Sequence, residues 1–394
     1  MLNETYTAML EHKSVIREIF MYGRARAAEI GADNVFDYSL GNPSVPCPDK
    51  FTRTMVRLLE TEEPVALHGY CPSTGDPAFR AAVAKHLAAR YGLPYTQGDI
   101  FPTTGAAGAL AHSLRAVTKP GDEVVVFAPY FPEYGPYIAG AGAVMRVVPA
   151  KAPAFQPDLD AFAGLLNEKT AAVLLNTPNN PSGVVCSAET LTELAALLRK
   201  AGARYGHPIY LISDEPYRDI LFDGAQCPYP AAFYPHTLTC YSFSKSLSLP
   251  GERIGYVAVA PGCEGERILV DVMAQISRFT GHNCPPSIIQ RACAECLDVT
   301  SELSVYETNR NLLYEKLTAL GFTVQKPGGT FYIFPKALEE SASAFCEKAK
   351  QFDLLLVPAD TFGAPGYVRL AYCIDTDKVR RSLPALEKLA ALYR

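Results

Sequence analysis

The chain has 394 residues, 36 lysines and arginines against 41 aspartates and glutamates, and 48% hydrophobic residues, for a formal net charge of −5. This composition is typical of a globular protein with a sizeable buried core. No lysine- and arginine-rich stretch suits a phosphate backbone and no apolar run suits a bilayer, so neither nucleic acid nor a membrane is an expected partner. The opening sequence MLNETYTAMLEHK lacks the features of an export signal, which predicts a cytoplasmic protein.

Helical and strand patterns alternate from about residue 77 onward. The patterns predict helices over 77–92 and 187–203, with Ser187 capping the second, and strands over 123–129, 171–176, 209–213, 237–242 and 254–260. The apolar runs are typical of buried, largely parallel strands. The alternation therefore predicts an α/β fold in which helices cover both faces of one sheet.

The last hundred residues follow a different pattern. Beyond Pro285 and Pro286 a helical pattern runs to about Leu320, followed by short strands in GTFYIF and GYVRLAY and a closing helix in DKVRRSLPALEKLAALYR. This order predicts a smaller α+β portion after the main sheet.

The eleven cysteines are too sparse for a disulfide scaffold, and their odd number leaves at least one unpaired. Reduced, structural cysteines are the expectation. Cys293 and Cys296 are close in sequence, but no second CxxC or histidine pair completes a metal site with them. We expect two small apolar residues on a helix face and no metal.

Four polar clusters follow the predicted strands at their carboxyl ends, where open α/β sheets place ligands. They are NTPNNPSG at 176–183, Asp214 in SDEPYRD, Lys245 in YSFSKSLSLPGERIGY and the small residues of TTGAAGALAHSL at 103–114. Alone, each has a plainer explanation: a turn, a helix cap, a solvated lysine or a helix start. The phosphate-loop pattern GxxxxGK[ST] and the dinucleotide pattern GxGxxG are both missing, so a nucleotide is not favoured.

Together the clusters match the needs of pyridoxal phosphate. That cofactor requires an amine for its aldehyde, a carboxylate for its ring nitrogen, donors for its phenolic oxygen and an anion cradle. Lys245, Asp214 and Tyr217 with Asn180 supply the first three. The small residues Gly105 to Ala107, which open a helix, supply the cradle with hydroxyls and Arg253. Phe131 follows another strand and could lie against a ring, although core packing is the competing explanation.

With these motifs in this order, the chain resembles the class I and II aminotransferases of pyridoxal-phosphate fold-type I, the group that includes aspartate aminotransferase. The matching segments are NTPNNPSG, the D-x-x-Y segment from Asp214 to Tyr217 and the S-x-S-K-x(7)-R-x-G segment from Ser242 to Gly255. The resemblance implies a large domain over 49–285, with a mostly parallel seven-stranded sheet between helices. It implies a smaller α+β domain made of 1–48 and 286–394.

The resemblance also assigns roles to single residues. It implies that Lys245 is the catalytic Schiff-base lysine, that Asp214 pairs with the pyridinium nitrogen, and that Tyr217 and Asn180 hold the phenolic oxygen. The implied phosphate and ring contacts are Gly105, Ala106, Ala107, Ser242, Ser244, Arg253 and the stacking aromatic Phe131. Arg369 would fork onto the substrate α-carboxylate, with Gly41 and Asn180 beside it. Tyr70 matches a tyrosine that relatives extend into the neighbouring subunit, which implies a homodimer.

Two departures from the family pattern bear on specificity. The chain has no tryptophan, so the stacking ring is Phe131. Some dicarboxylate-specific relatives carry a lysine in the phosphate turn, at the place of Ala107, which weakens the expectation of aspartate as substrate. Arg278 and His282 are candidates for side-chain recognition, although surface salt-bridging explains Arg278 equally well.

The resemblance implies an aminotransferase that moves the amino group of an L-amino acid to a 2-oxo acid, by family habit 2-oxoglutarate, in two half-reactions. The same machinery serves β-lyases, which eliminate carbon–sulfur or other β-substituents. A non-catalytic cofactor-binding sensor module is a further alternative. The intact Lys245 and the lack of a predicted DNA-binding segment ahead of the domain argue against it.

Overall fold

The structure is a computed structural model, and it describes residue 2 and residues 4–10 and 14–394. Its helices are α1 (Glu4–Ala8), α2 (Val15–Ile30), α3 (Asp49–Thr61), α4 (Pro64–His68), α5 (Pro77–Tyr91), α6 (Gly105–Val117), α7 (Tyr134–Gly140), α8 (Leu159–Leu165), α9 (Ala188–Tyr205), α10 (Phe243–Ser246), α11 (Glu266–Thr280), α12 (Ser287–Ala294), α13 (Ser304–Ala319), α14 (Ala342–Lys350) and α15 (Thr376–Ala391). Its strands are β1 (Phe36–Asp37), β2 (Ile100–Thr103), β3 (Glu123–Phe127), β4 (Val144–Val148), β5 (Thr170–Asn176), β6 (Tyr210–Asp214), β7 (Thr237–Ser242), β8 (Gly255–Val259), β9 (Tyr332–Ile333), β10 (Leu354–Leu355), β11 (Val357–Pro358) and β12 (Val368–Ala371).

A seven-stranded sheet in the order β2-β8-β7-β6-β5-β3-β4 forms the centre of the fold. Strands β4, β3, β5, β6 and β7 pair in parallel, whereas β8 runs antiparallel to both β7 and β2. The predicted α/β class with a mostly parallel seven-stranded sheet is confirmed. The pairing also sets the register of the site, since Asn176 lies opposite Asp214, and Asp214 lies opposite Cys240.

Helices cover both faces of this sheet because consecutive strand residues point to opposite sides. On β3, Val124 and Val126 pack in one apolar cluster with α6, α7 and α11. Val125 and Phe127 pack in a second cluster with α8 and α9. Strands buried on both faces need apolar residues at every position, which explains why EVVVF and AAVLLN read as continuous apolar runs.

The predicted helix at 187–203 is confirmed as α9, and the Ser187 hydroxyl caps it by accepting a hydrogen bond from the Thr190 N–H at 3.1 Å. The single helical pattern expected from Pro286 to Leu320 is wrong, because it is split into α12 and α13. Between them the Ser301 N–H bonds to Ser246 O at 2.8 Å.

The last part of the chain supplies two small sheets, one pairing β1 with β10 and the other in the order β11-β12-β9. The strands expected in GTFYIF and GYVRLAY correspond to β9 and β12. Cys293 and Cys296 are both buried in an apolar cluster as expected, but they do not share a helix face, because α12 ends at Ala294. In the part of the chain that the structure describes, no helix combines the length and apolar character needed to cross a membrane. The two-domain boundary and the cytoplasmic location stay predictions.

Candidate active site

A cavity of about 520 Å³ lies at the carboxyl ends of the parallel strands. Of the residues to which the resemblance assigns a role, all but two line it: Gly41, Ala106, Ala107, Phe131, Asn180, Asp214, Tyr217, Ser242, Ser244, Lys245, Arg253 and Arg369. Gly105 is the first exception, and it lies directly behind the wall, against Arg253. Tyr70 is the second, and it lies outside the cavity. The sheet therefore brings together clusters that are separated by more than a hundred residues in sequence.

Asp214 ends β6 and is buried at the floor of the cavity. Its Oδ2 accepts a hydrogen bond from the Tyr134 hydroxyl at 2.5 Å, and Asn176 Nδ2 donates to its backbone oxygen at 2.8 Å. The other carboxylate oxygen, Oδ1, is buried without a hydrogen-bond partner among the described residues. Burial raises the pKa of Asp214 to about 7. A buried carboxylate with one free oxygen is an acceptor for a cationic N–H donor.

Lys245 lies on α10, immediately after β7. Its Nζ donates a hydrogen bond to Gly41 O at 2.7 Å and lies 5.3 Å from the centre of the Phe331 ring. Removal from water lowers the pKa of Lys245 to about 8, which brings a neutral amine within reach of ordinary pH. A neutral lysine amine can act both as a nucleophile and as a base.

Gly41 is fixed by close packing. A Cβ at this position would lie 2.0 Å from the Tyr332 hydroxyl, so a side chain here would displace that tyrosine. The carbonyl oxygen of this closely packed residue accepts the hydrogen bond from Lys245.

Residues that follow the end of β2 and precede the start of β8 form another part of the wall. Gly105 opens α6 with a φ of +74°, and a Cβ there would lie 2.9 Å from Arg253 Nη2. Arg253 itself adopts a left-handed backbone, with a φ of 52°, and bonds to Thr104 O at 3.2 Å. Ser242 and Ser244 line the same wall, and their hydroxyls are 2.7 Å apart. Hydroxyls, an arginine and the first N–H groups of a helix together suit a phosphate.

Arg369 on β12 reaches the cavity from the small sheet. It is 2% exposed, and it donates to Asn180 Oδ1 at 3.2 Å and to Ser39 O at 2.6 Å. Its guanidinium lies 4.6 Å from the centre of the Tyr332 ring, and its Nε has no partner within the described ranges. The Tyr332 hydroxyl in turn lies 3.1 Å from that of Tyr217. A buried arginine with an unused donor is suited to a carboxylate ligand.

Several contacts in the cavity were missed by sequence reasoning. Tyr134 follows the predicted Phe131 by three positions, so one helical turn would have placed it nearby. Asn176 begins the recognised NTPNNPSG segment, and its Oδ1 also accepts the Asn180 N–H at 2.6 Å. For Tyr332 and for Arg17, which lines the cavity from α2, the sequence held no local signal.

Three predicted residues lie away from the cavity. Tyr70 is fully exposed, at 106% of its reference area. Arg278 and His282 are also exposed and do not line the cavity. Within this chain they take no part in the site, so contacts with substrate would have to come from another copy.

Comparison with known proteins decides which family this geometry represents. The family described as "Aminotransferase class I and II" matches residues 34–386. The chain belongs to the class I and II aminotransferases. It is 30% identical to an aspartate aminotransferase of Thermotoga maritima, over 92% of this chain and 93% of that protein. It is 32% identical to an aspartate/prephenate aminotransferase of Thermus thermophilus, over 80% of this chain and 81% of that protein.

Solved structures agree with this membership. The crystal structure of an aminotransferase from Eubacterium rectale superposes with a TM-score of 0.97 at 44% identity, covering 100% of this chain and 99% of that one. The chain is therefore an aminotransferase by family, and the fold inferred from the resemblance is the observed one.

The buried carboxylate yields a prediction about stability. A carboxyl group whose pKa is raised by folding stabilises the folded state fully below its unfolded pKa, near 3.8, and this contribution is lost as pH rises through about 7. Asp214→Asn removes the charge and keeps an acceptor for Tyr134. At about pH 8, with bound small molecules removed, the Asp214→Asn variant should melt at a higher temperature than wild type. The difference in the free energy of unfolding should be roughly 4 kcal/mol or less.

The same comparison at about pH 5 is the control, since less of the carboxylate is charged there and the difference should shrink. Thermal unfolding followed by circular dichroism measures both. An equal difference at both pH values would contradict the assigned cause.

Proposed function

We propose that this aminotransferase moves the amino group of an L-amino acid to a 2-oxo acid, with 2-oxoglutarate as acceptor, by two half-reactions that use bound pyridoxal phosphate. The observation that carries the proposal is the pairing, in one cavity, of the free Asp214 Oδ1 with the weakly basic Lys245 Nζ. The first accepts from a protonated ring nitrogen, and the second is an amine for an aldehyde. Family membership supports this proposal.

The residues present fit the cofactor at each of its polar groups. Asp214 Oδ1 would hold the ring nitrogen, because burial without a donor leaves it unsatisfied. The phenolic oxygen would be held by Tyr217 and Asn180. The phosphate would be held by the turn from Gly105, Ala106 and Ala107 together with Ser242, Ser244 and Arg253. Phe131 lines the cavity where it would cover the ring.

When bound, pyridoxal phosphate supplies an aldehyde for amines and a protonated ring that draws electrons away from the substrate carbon. Lys245 would hold the aldehyde through its Nζ amine until a substrate amine takes its place. The freed Nζ would accept the Cα proton of the amino acid and pass it to the former aldehyde carbon of the cofactor. Asp214 keeps a negative charge beside the ring nitrogen, and Arg369 orients the substrate through its carboxylate.

Replacing Lys245 tests the central role. Lys245→Ala should abolish transamination between amino acids and 2-oxoglutarate, measured as glutamate formation, because the base and the amine are lost together. Borohydride reduction of protein loaded with pyridoxal phosphate should attach the cofactor covalently to wild type, on the peptide that contains Lys245, and leave the variant unlabelled.

Lys326→Ala is the matched control, since Lys326 is exposed and pairs with Asp223 at 2.9 Å. It should keep both activity and labelling. Cofactor attached to another lysine in wild type would overturn the assignment. Pyruvate and ammonia formed without any oxo-acid acceptor would favour the β-lyase alternative over transamination.

The charges of the cavity favour an acidic substrate. Arg17 of α2 lines the cavity and makes no ion pair within the ranges that the structure describes. With Arg253 assigned to phosphate and Arg369 to the α-carboxylate, Arg17 supplies a cation for a second carboxylate. Arg17 would thus take the role of the lysine that some dicarboxylate-specific relatives carry at the place of Ala107. We therefore propose aspartate and similar dicarboxylic amino acids as donors, in line with the names of the relatives.

Arg17→Gln should raise KM for aspartate about tenfold, because a charge-assisted hydrogen bond contributes about 1.5 kcal/mol or more. KM for an amino acid with an uncharged side chain should stay within error. Arg24→Gln is the control, since Arg24 is exposed on the same helix and does not line the cavity. An equal rise for both substrates would argue for a structural role of Arg17 instead.

We further propose that the protein is a homodimer in which Tyr70 reaches the phosphate site of the partner subunit, as the resemblance implies. The full exposure of Tyr70, together with that of Phe279 at 92%, supports a surface covered by a second copy. In this proposal residues 49–285 form the cofactor domain, and residues 1–48 and 286–394 form the smaller one.

Mixed dimers test this arrangement. Tyr70→Ala and Lys245→Ala should each be nearly inactive alone, whereas a refolded mixture should regain activity. In the mixed dimer one site combines an intact Lys245 with an intact Tyr70 from the other subunit. Sedimentation confirms the dimers. A mixture that stays inactive while dimers form would show that each subunit supplies its own Tyr70.

A further inference from the structure

Two cysteines far apart in sequence meet beside the exposed Tyr70. Cys71 Sγ lies 3.0 Å from Cys284 Sγ, although the two residues are 213 positions apart. A disulfide bond has a length of about 2.05 Å, so a small movement of either side chain joins the two sulfur atoms. Both residues are half-buried within one copy of the chain.

The pair differs from the other cysteines of the chain. Among the described residues no other two thiols lie within hydrogen-bonding distance of each other. Most of the remaining cysteines are buried in apolar surroundings, which keeps them protonated and unreactive. Cys47 is half-buried like the pair, but its nearest polar contact is the Thr52 hydroxyl at 3.6 Å.

The surroundings of Cys71 favour its reactive form. Cys284 Sγ lies within hydrogen-bonding distance of Cys71 Sγ, and the Nε2 amide of Gln290 donates toward Cys71 Sγ at 3.5 Å. The hydrogen bond with Cys284 is the main cause that lowers the pKa of the Cys71 thiol from its usual value. Because the thiolate is the nucleophile in thiol oxidation, Cys71 is suited to attack and Cys284 to resolve.

We propose that Cys71 and Cys284 form an oxidisable dithiol, which hydrogen peroxide converts into a disulfide that restrains the segment 69–76. The Cys71 thiolate attacks one peroxide oxygen, which gives a sulfenic acid and releases water after proton uptake. The Cys284 sulfur, losing its proton, then attacks the Cys71 sulfur and expels the second water. Two thiols lose two electrons and two protons, and one peroxide becomes two waters.

The restraint follows from where the two cysteines lie. The segment 69–76 connects α4 to α5, and Cys284 lies in the segment that connects α11 to α12. In the reduced protein these two parts of the chain are held together by non-covalent contacts, such as the hydrogen bond from the Asp76 N–H to Gln290 Oε1 at 2.8 Å. A disulfide between Cys71 and Cys284 would add a covalent bond between them. Tyr70 adjoins the bond, and any effect on a partner subunit rests on the proposed dimer.

Peptide mapping of the holoenzyme tests the bond directly. After treatment with hydrogen peroxide, removal of the peroxide and alkylation of free thiols, trypsin releases peptides 58–80 and 279–291, each with a single cysteine. We expect a cross-linked pair of these peptides, two hydrogen atoms lighter than their sum, which dithiothreitol separates. Non-reducing electrophoresis should show the mass of one chain, and a doubled mass would overturn the assignment within one chain.

Matched variants separate this pair from general oxidation. Cys71→Ser and Cys284→Ser should each abolish the cross-linked peptide, while Cys47→Ser should leave it unchanged. Hydrogen exchange of the 69–76 amides should slow on oxidation of wild type but not of Cys71→Ser. If Cys71 and Cys284 both remain free for alkylation after a peroxide treatment that oxidises Cys47, the proposal is overturned. A cross-link without slower exchange would overturn the restraint.

Discussion

The buried carboxylate of Asp214 is the constraint on which the site depends. Placing a charge at the end of a central strand is costly unless a partner compensates it, and the chain supplies neutral donors to only one of its two oxygens. Tyr134 and Asn176 hold the group in place, and they do not neutralise it. The cavity is therefore complementary to a cation at one fixed point. A protonated heterocycle meets that requirement, since it brings a charge and a directed N–H bond together.

Apart from Glu133, the other charged residues that line the cavity are basic. Lys245, Arg253, Arg369 and Arg17 all line the cavity, and the low basicity of Lys245 is a consequence of its burial. Several positive charges in one cavity suit a ligand with several anionic groups. A lysine with a lowered pKa is more often neutral, and the neutral amine is a nucleophile and a base that needs no further base to activate it. One set of burial effects thus raises the pKa of the acid and lowers that of the amine.

A site residue could be predicted from the sequence where local structure places it, and could not where packing between distant parts of the chain places it. Asp214, Lys245 and Asn180 were predictable because each follows an apolar strand, and strand ends meet at one edge of a parallel sheet. Tyr332 and Arg17 were not, because their positions depend on how the small sheet and α2 pack against the large sheet. The contact between Cys71 and Cys284 is of the same kind, since neither local segment signals it. The break between α12 and α13 was missed because the Ser301 bond to Ser246 overrides a continuous helical pattern.

Three hydrogen bonds at the site join residues of the large sheet and its connections to residues of the small sheets and theirs. Lys245 bonds to Gly41, which follows β1, and Arg369 on β12 bonds to Asn180 after β5. The Tyr217 and Tyr332 hydroxyls form a third link. A ligand carboxylate at Arg369 and an aldehyde at Lys245 would compete with two of these three bonds. Binding therefore exchanges contacts between the sheets for contacts with the ligand, which couples occupancy of the cavity to the packing of one sheet against the other.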